Sequence, residues 1–370
     1  MDRIVNVGII GCGGIAGGKH MPSLKKLPNV RMVAFCDIIP EKAEDAAKKF
    51  GTPDAKVYTD YKELLKDESI EVVHVLTPNR EHAQISIDAL YAGKHVMCEK
   101  PMAHTSADAQ KMLDAWKKSG KKFTIGYQNR FRPEVQMLHQ CCENDELGEI
   151  YFAKAHAIRR RAVPTWGVFP NKALQGGGPL IDIGTHALDL TLWMMDNYKP
   201  VSVTGQVFYK LGNLPQATEG NMFGPWDPET YEVEDSAFGM IKFENGAAIQ
   251  LEAAWAINMQ TSREASTTLC GTKAGAEVYS GMSFPNNKLI INRGHNGLLT
   301  DEEICGAGNV AYFEGGLGEE PGLAEARQWL DAIANDTEPL VKPEQAFKVT
   351  QILEAIYTSA ATGKEVILAD

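Results

Sequence analysis

The sequence predicts an α/β protein with two domains, an N-terminal doubly wound parallel sheet over residues 1–127 and an α+β domain over residues 128–370. Three observations predict this class. Short apolar runs alternate with helix-like segments up to Tyr127, a glycine-rich turn follows the first run, and longer runs rich in Val, Ile, Thr and aromatic residues come afterwards. Strands and helices that alternate in this way favour a parallel sheet with right-handed crossovers.

Five apolar runs of the first domain have the length and the flanking turns of buried strands. In chain order they are "RIVNVGII", "VRMVAFCD", "VVHVLTP", "HVMCEK" and "KFTIGYQ". Helices are predicted between them: one from the glycine-rich turn to about Leu27, "PEKAEDAAKKF" with proline at its start, "REHAQISIDALYAG" closed by Gly93, and "SADAQKMLDAWKKSG" with a serine cap.

The second domain is predicted to contain a large, mostly antiparallel open sheet. Its strands lie in "EIYFAKAHAIRRR", "PVSVTGQVFYK", "SAFGMIKFENGAAIQLEAAWAIN" and "STTLCGTKAGAEVYS", where "ENG" forms a hairpin turn. The stretch from Leu211 to Glu234 holds three Pro and three Gly and is predicted to be a long ordered loop. A last helix, "EQAFKVTQILEAIYTSAATG", closes the chain and offers an apolar face that could pack back on the first domain.

Charge and composition exclude several classes of function. A net charge of −11 and a pI near 5.4 disfavour a nucleic-acid partner. No apolar run approaches the length of a membrane span, and the N-terminus has no signal-peptide pattern, so no membrane association is expected. The seven cysteines show no metal-ligand spacing. We therefore expect a reduced, cytoplasmic protein without structural metal.

The segment "GIIGCGGIAGGKH" has the pattern of a dinucleotide-binding turn. Gly11, Gly13 and Ala16 follow the G-x-G-x-x-G/A spacing directly after a strand and open a helix. Gly11 permits the tight turn, and Gly13 lets the backbone approach a pyrophosphate at the helix N-terminus. Asp37 ends the second strand, where a carboxylate bonds the adenosine ribose. No Arg follows it to receive a 2′-phosphate, so a Rossmann domain that prefers NAD to NADP is expected.

Polar residues also end the third predicted strand. Thr77, Pro78 and Asn79 lie at this strand end, and His82 lies on the first turn of the following helix. Their position beside the glycine-rich turn allows contact with the ribose or the pyrophosphate. A helix cap and a surface histidine explain the same residues equally well.

The stretch "GGGPLIDIGTHALDLTLWMM" contains the other unusual pattern. If a helix begins near Ile183, Asp182, His186 and Asp189 follow i, i+4, i+7 spacing and share one face. Two carboxylates and an imidazole on a largely apolar helix are costly unless they line a site. Three interpretations stay open: an acid/base cluster, a divalent-metal site that lacks further ligands nearby, and a satisfied core network.

Taken together, "GCGGIA", "AFCD", "CEKPMA" and "GGGPLIDIGTHALDL" resemble the Gfo/Idh/MocA family of NAD(P)-dependent oxidoreductases, which includes glucose–fructose oxidoreductase and inositol dehydrogenase. The resemblance spans essentially the whole chain. It implies three catalytic residues, Lys100, Asp182 and His186, with Pro101 often cis. It also implies the following cofactor-binding residues: Gly11, Cys12, Gly13, Gly14, Ile15, Asp37, Thr77, Pro78, Asn79, His82, Glu99, Lys100 and Gln128. Among these, Glu99 would reach the nicotinamide-side ribose.

Hydride transfer from a sugar carbinol needs a base within hydrogen-bond reach of the hydroxyl. His186 has a pKa near neutrality in its ordinary form, and Lys100 could exchange the proton if the cofactor's positive ring lowers its pKa. The sequence does not choose between them. Asp182 would orient either residue and stabilise its charged form.

Arg159, Arg160, Arg161, Trp166 and the loop from Asn213 to Asp235 are candidates for shaping a polyol pocket, with Arg159 and Trp166 expected to bind substrate beside the catalytic residues. We expect oxidation of a sugar, glycoside or polyol hydroxyl, with C3 of a pyranoside as one candidate. Two alternatives are a glycoside-cleaving enzyme that keeps NAD tightly bound and a non-catalytic dinucleotide sensor. A homo-oligomer (dimer, tetramer or higher) through the second domain's sheet is expected.

Overall fold

The computed structural model describes residues 3–281, 287–304 and 320–368. Its backbone forms two compact units: Met1–Gln128 with Glu319–Phe347, and Asn129–Gly318 with Lys348–Asp370. The predicted fold class is confirmed, since the first unit holds a parallel sheet and the second a mixed, mostly antiparallel one. In the described ranges, no helix is both long and apolar enough to span a bilayer.

The first unit is built on a six-stranded sheet in the order β3-β2-β1-β4-β5-β6, with every pair parallel. Its strands are β1 Val5–Ile10, β2 Val30–Cys36, β3 Lys56–Tyr58, β4 Val72–Val75, β5 His95–Glu99 and β6 Phe123–Gly126. Five of them were expected. Strand β3 could not be predicted from hydrophobic periodicity, because it has only three residues and two of them are exposed.

Helices of the first unit follow the strands in the expected alternation. They are α1 Met21–Lys25, α2 Pro40–Phe50, α3 Tyr61–Leu65, α4 His82–Tyr91 and α5 Ser106–Ser119. A π-helical turn, Ala16–His20, precedes α1. The cap of α5 is Thr105, whose hydroxyl accepts from the Asp108 amide at 3.1 Å, and not the serine that the sequence suggested.

The second unit holds a nine-stranded sheet in the order β14-β13-β12-β11-β7-β10-β9-β8-β15, in which only the β7–β10 pair is parallel among the described strands. The strands are β7 Ile150–Ile158, β8 Pro200–Phe208, β9 Ser236–Phe243, β10 Ala248–Ala254, β11 Arg263–Gly271, β12 Ala274–Tyr279, β13 Lys288–His295, β14 Leu298–Ile304 and β15 Val366–Ile367. The last three were not expected. Strand β14 is almost wholly exposed, so it carries no apolar alternation.

Three helices belong to this sheet: α6 Pro133–Glu143, α7 Lys172–Gln175 and α8 Thr185–Met195. A second π-helical turn, Leu180–Gly184, leads into α8, which packs against β7 and β11. The Thr191 hydroxyl donates to Thr267 of β11 at 2.9 Å and so marks the covered face. Because side chains alternate along strands, Lys154 and Met240 lie on the other face, where both are exposed.

Two helices near the C-terminus join different units. Helix α9, Pro321–Ala334, buries Trp329 and Leu330 in the same apolar cluster as Val5 and Met21 of the first unit. Most of helix α10, Pro343–Thr362, lies with the second unit. Helix α9 therefore completes the first unit, and the packing of the final helix on the first domain stays a prediction.

A buried ion pair ties the segment after β6 to α8. Arg130 is fully buried, and its guanidinium donates to both carboxylate oxygens of Asp189 at 3.0 and 2.5 Å. The guanidinium also lies over the Trp193 ring, 5.1 Å from its centroid. Asp189 is thus part of a satisfied core network.

We predict that Asp189→Ala lowers the free energy of unfolding by about 3–5 kcal/mol, because the Arg130 charge would stay buried without its carboxylate. Urea denaturation followed by circular dichroism measures the change. The double variant Arg130→Met with Asp189→Leu removes both charges and is expected to recover most of the loss. A single variant that costs less than about 1 kcal/mol would contradict the structural role of the pair.

Candidate functional site

The glycine-rich turn after β1 forms an open backbone cradle. Gly11 has φ +91°, and a Cβ there would lie 2.6 Å from the Leu76 carbonyl oxygen, so no other residue fits. A Cβ on Gly13 or Gly14 would meet no described atom within 4 Å. The buried Ala16 then begins the π-helical turn. Open space above backbone amides at a helix start fits a pyrophosphate.

Asp37 is fixed beside this cradle at the end of β2. Its two carboxylate oxygens accept from the Cys12 and Ile39 amides, each at 2.9 Å. Each oxygen keeps a further lone pair for ribose hydroxyls. The next residue, Ile38, is 87 % exposed and brings no positive charge for a 2′-phosphate. The residues present therefore fit NAD.

The strand-end segment Thr77–Asn79 follows β4, and its side chains are partly or fully exposed. His82 behaves differently, because its ring has no exposed surface. Its nitrogens lie 2.8 Å from the Pro101 carbonyl oxygen and 2.9 Å from that of Thr77. Burial lowers the pKa of His82. His82 thus joins two strand-end loops, and the cofactor contact that the resemblance implies stays a prediction.

At the end of β5, Lys100 is half-buried and its bond to Pro101 is cis. Glu99 before it is buried, and its carboxylate already has protein partners. One oxygen lies 2.5 Å from Lys19 Nζ and 2.7 Å from His20 Nε2, while the other accepts from the Lys100 amide at 3.1 Å. Glu99 thus supports the Lys100 backbone, and the ribose contact expected of it would have to compete with these bonds.

Glu99 belongs to a set of five side chains, Lys19, His20, His74, Glu99 and Glu325, which we call the buried charge cluster. The Lys19 ammonium also lies 3.0 Å from the Glu325 carboxylate of α9 and 3.4 Å from the Gln128 amide oxygen. The His20 and His74 Nδ1 atoms are 3.1 Å apart. Sequence analysis did not find this cluster. Its only local signal is the polar pair Lys19–His20 inside the helix start.

Titration in the cluster is governed by burial and by charge. Burial, with the Lys19 charge, lowers the pKa of His20 to about 4, and burial holds that of His74 well below its ordinary value. Burial opposes ionisation of Glu99, but Lys19 and His20 outweigh it and hold its pKa well below the ordinary value. For Lys19, burial is outweighed by Glu325 and Glu99, so its pKa is raised.

In the second unit, Asp182 and His186 lie one turn apart where the π-helical turn passes into α8. They are 9 % and 8 % exposed, whereas Asp189 on the same face is sealed against Arg130. The Trp255 indole donates to Asp182 Oδ2 at 3.0 Å. The structure therefore separates the predicted stripe into one residue in a core ion pair and two buried residues that keep a small exposed fraction.

The start of this helix is held by Glu234, which is almost fully buried. Its carboxylate accepts from the Gly178 amide at 2.9 Å, the Leu180 amide at 3.2 Å and the Tyr357 hydroxyl at 2.8 Å. Burial raises its pKa. A carboxylate at a helix N-terminus is favourably placed, and this one sets the register of the turn that carries Asp182.

Arg159 and Trp166 differ in how much of each side chain is available to a ligand. Arg159 donates to both carboxylate oxygens of Glu264 at 2.7 and 2.5 Å, so much of its fork is occupied. Trp166 is 49 % exposed and lies edge-on to Phe223, with ring centroids 4.7 Å apart. Phe169 joins it to Trp255, at centroid distances of 5.9 and 6.2 Å. An aromatic row thus runs from an exposed ring to the partner of Asp182.

In the chain segments that the structure describes, no three His, Cys, Asp or Glu side chains are grouped to hold a metal ion.

Comparisons with known proteins agree with this arrangement. The model of an oxidoreductase family with an NAD-binding Rossmann fold matches residues 5–127, and that of the family's C-terminal alpha/beta domain matches residues 139–368. The chain is 36 % identical to a D-glucoside 3-dehydrogenase of Escherichia coli over 98 % of its length and 97 % of the relative's. It is 30 % identical to a levoglucosan dehydrogenase of Pseudarthrobacter phenanthrenivorans over 67 % of each chain.

A solved structure supports the fold over the full length. The chain matches an aldose-aldose oxidoreductase from Caulobacter crescentus with a TM-score of 0.80 and 25 % identity, over 99 % of this chain and 100 % of that one.

We predict acid destabilisation from His20. Its folded pKa of about 4 lies below the ordinary value of 6.5, so the unfolded chain takes up the proton first as the pH falls. This contribution to stability is fully present above about pH 6.5 and is lost between pH 6.5 and about 4, by about 3 kcal/mol. Urea midpoints measured across this range test it. His20→Gln should flatten the dependence, while the exposed His295→Gln should not; equal slopes in both variants would refute the assignment.

Proposed function

The chain belongs to the Gfo/Idh/MocA oxidoreductase family, and on that premise we propose that it is an NAD-dependent dehydrogenase acting on a secondary hydroxyl of a sugar, glycoside or polyol. One observation carries the proposal. Lys100 follows β5 at the carboxyl edge of the parallel sheet, the same edge at which the glycine cradle and Asp37 lie. Ligands of open α/β sheets bind at this edge.

NAD is the cofactor that the residues fit. Gly11, Gly13 and Gly14, with the intervening Cys12 and the exposed Ile15, would hold the pyrophosphate, and Asp37 would bond the adenosine ribose. The absence of a cation at Ile38 and Ile39 supports NAD over NADP. When bound, NAD supplies the acceptor for the hydride that leaves the substrate carbon.

The chain's own residues would manage the proton and the oxygen. As the carbinol carbon loses its hydride, the hydroxyl proton passes to His186 or Lys100 and a ketone forms. Lys100 is suited to bind the oxygen and stabilise its developing negative charge. Asp182, held by Trp255, would orient whichever group accepts the proton. The imidazole of His186 and the amine of Lys100 both remain candidates for the base.

Substrate class is supported by the relatives and by the aromatic row. The two similar proteins are named for a glucoside and for levoglucosan, both carbohydrates. Trp166 offers an exposed ring face of the kind that stacks on sugars, and Phe223 of the 211–234 loop supports it. Since the 36 % identical relative is named a 3-dehydrogenase, we propose C3 of a pyranoside as the first position to test.

We predict that NAD with one class of substrate produces NADH, measured as absorbance at 340 nm across a panel of inositols, free pyranoses, glycosides and sugar acids. Lys100→Ala and His186→Ala should each lower kcat by about 100-fold or more, since each removes an acid, base or oxygen-binding group. The exposed Lys111→Ala and His295→Ala are the matched controls and should keep full activity.

If no compound in this panel produced NADH, the proposal of a simple dehydrogenase would be rejected. If NAD were then found in the denatured protein, the alternative of a tightly held cofactor in a redox-neutral glycoside cleavage would be supported. Full cellular activity of Lys100→Ala would support a sensor without catalysis.

We propose further that the chain forms a homo-oligomer through the uncovered face of the second unit's sheet. We also propose that it works in a reducing cytoplasm, because its six described cysteines are all free thiols. The face carries exposed Met240 and the Phe208–Phe238 pair, whose rings are 6.1 Å apart. Sedimentation should give a multiple of 40.5 kDa. Met240→Glu should shift it toward the monomer, and Leu298→Glu, on exposed β14, should not. A monomeric wild type would refute the assembly.

A further inference from the structure

A cavity of about 460 Å³ opens on the second unit, just after the end of β7. Its volume lies in the range of about 300–1,000 Å³ that is usual for small-molecule sites. The described lining, which we call the arginine pocket, has two guanidiniums, two amides, two apolar side chains and no acidic residue: Arg160, Arg161, Ile257, Asn258, Met259 and Gln260. A lining of this kind suits a negatively charged ligand.

The protein does not neutralise either guanidinium of the pocket. Among the residues that the structure describes, Arg160 and Arg161 form no ion pair with a carboxylate. Every other arginine of the second unit has such a partner, namely Arg130 with Asp189, Arg132 with Glu134, Arg159 with Glu264, Arg263 with Glu277 and Arg293 with Glu146. In a chain with a net charge of −11, two adjacent unpaired guanidiniums create a local positive field.

The Asp235 carboxylate does not take the place of an ion-pair partner. Burial and the Arg160 charge lower the pKa of Arg161, and the Asp235 charge only opposes them through space. The oxygens of Asp235 already accept from three backbone amides and one hydroxyl, those of Lys210, Leu211, Gly212 and Ser236. Two like charges therefore face one pocket, and an anion bound there would relieve their repulsion.

Hydrogen bonds fix the pocket without using all of its donors. Arg161 donates through one Nη to the Arg160 carbonyl oxygen and through the other to Asn258 Oδ1, each at 2.7 Å. A guanidinium has five N–H donors, so three of those of Arg161 remain. The Arg160 side chain is exposed and donates to no described residue. An oxyanion can thus accept from both forks without breaking a bond that holds the pocket.

The arginine pocket adjoins both parts of the proposed sugar site. Ile257 follows Trp255, the hydrogen-bond partner of Asp182, by two residues, which is at most about 7 Å of chain. On the other side, the carbonyl oxygen of the second arginine accepts from the Met222 amide at 3.0 Å, in the loop that also supports Trp166. A sugar held by these residues would direct a substituent toward the two guanidiniums.

We propose that Arg160 and Arg161 form a binding subsite for an anionic substituent of the sugar, a carboxylate or a phosphate, so that the preferred substrates are acidic sugars or glycosides. The inference rests on the proposed function and names the substrate class of that site. Both anions present oxygens that a guanidinium fork bonds in pairs, and such charge-assisted bonds are about twice as strong as neutral ones. A sugar hydroxyl gains less from the same donors.

A merely structural role for the pair makes a different prediction. Arg161 joins the backbone at residue 160 to Asn258, so its loss would then weaken the binding of neutral and anionic sugars alike. The two roles are separated by one ratio, kcat/KM for an anionic sugar over kcat/KM for its neutral parent. A general loosening of the site cancels from this ratio.

The experiment measures the ratio on the full chain with NAD, from NADH absorbance at 340 nm. Methyl glucoside is compared with its C6 carboxylate and C6 phosphate, and phenyl glucoside with its para-carboxylate and para-phosphate. The wild type should favour at least one anion, and the largest ratio identifies which anion and which position. Arg160→Gln and Arg161→Gln should each lower that ratio roughly 10- to 100-fold. Arg160→Lys keeps the charge and should restore part of it.

A matched control and two further measurements make the outcomes distinct. Arg293→Gln removes a guanidinium that has carboxylate partners and should keep the wild-type ratio. A wild-type ratio near one, or a ratio that neither Gln variant changes, overturns this inference while the dehydrogenase function stands. If sedimentation then showed Arg160→Gln shifted toward the monomer, the pair would belong to a contact between subunits. If no compound yields NADH, the proposed function fails, and calorimetric dissociation constants for the same pairs decide on the pocket.

Discussion

The organisation of the first unit depends on one constraint, that the carboxylate of Glu99 cannot be buried without compensation. Desolvating a carboxylate costs several kcal/mol unless charges and donors replace the water. Here Lys19, His20 and the Lys100 amide supply them. Because those donors come from the helix start and from the strand end, satisfying Glu99 also sets the position of the glycine turn relative to Lys100. Lys19 also pairs with Glu325, and this second ion pair links α9 to the first unit.

The two π-helical turns of the described chain both lie in segments that carry candidate site residues. One, Ala16–His20, brings Lys19 and His20 to Glu99; the other, Leu180–Gly184, carries Asp182 just before His186. A π-helical turn contains one residue more than an α-helical turn and so redirects the side chains that follow. Both turns contain glycine, which tolerates the change in backbone. In each segment the backbone departs from α-helical geometry where it carries charged side chains.

Most of the fold follows from periodicity, but the charge cluster does not. Buried strands and amphipathic helices leave a local pattern, and Gly11 leaves one because nothing else fits its φ. Strands β3 and β14 leave little pattern, since one is short and the other is exposed. Glu325 is remote in sequence from Lys19, and His74 from His20, so only the folded chain shows that Glu325 pairs with Lys19 and that His74 contacts His20. The sequence likewise offers Arg159 as a substrate-binding residue, but in the folded chain its guanidinium is paired with the Glu264 carboxylate.

In the second unit, two consecutive carboxylates, Glu234 and Asp235, anchor two different backbone segments. Glu234 binds the amides that begin the helix of Asp182, while Asp235 accepts from the amides of Lys210, Leu211 and Gly212 at 2.5, 2.6 and 3.1 Å, where the long loop starts. The loop is therefore anchored independently of the helix. Changes in the sequence of the loop therefore need not move Asp182, whose Oδ2 accepts from the Trp255 indole. This hydrogen bond supports the proposed role of Asp182 as an orienting acceptor, with His186 or Lys100 as the proposed base.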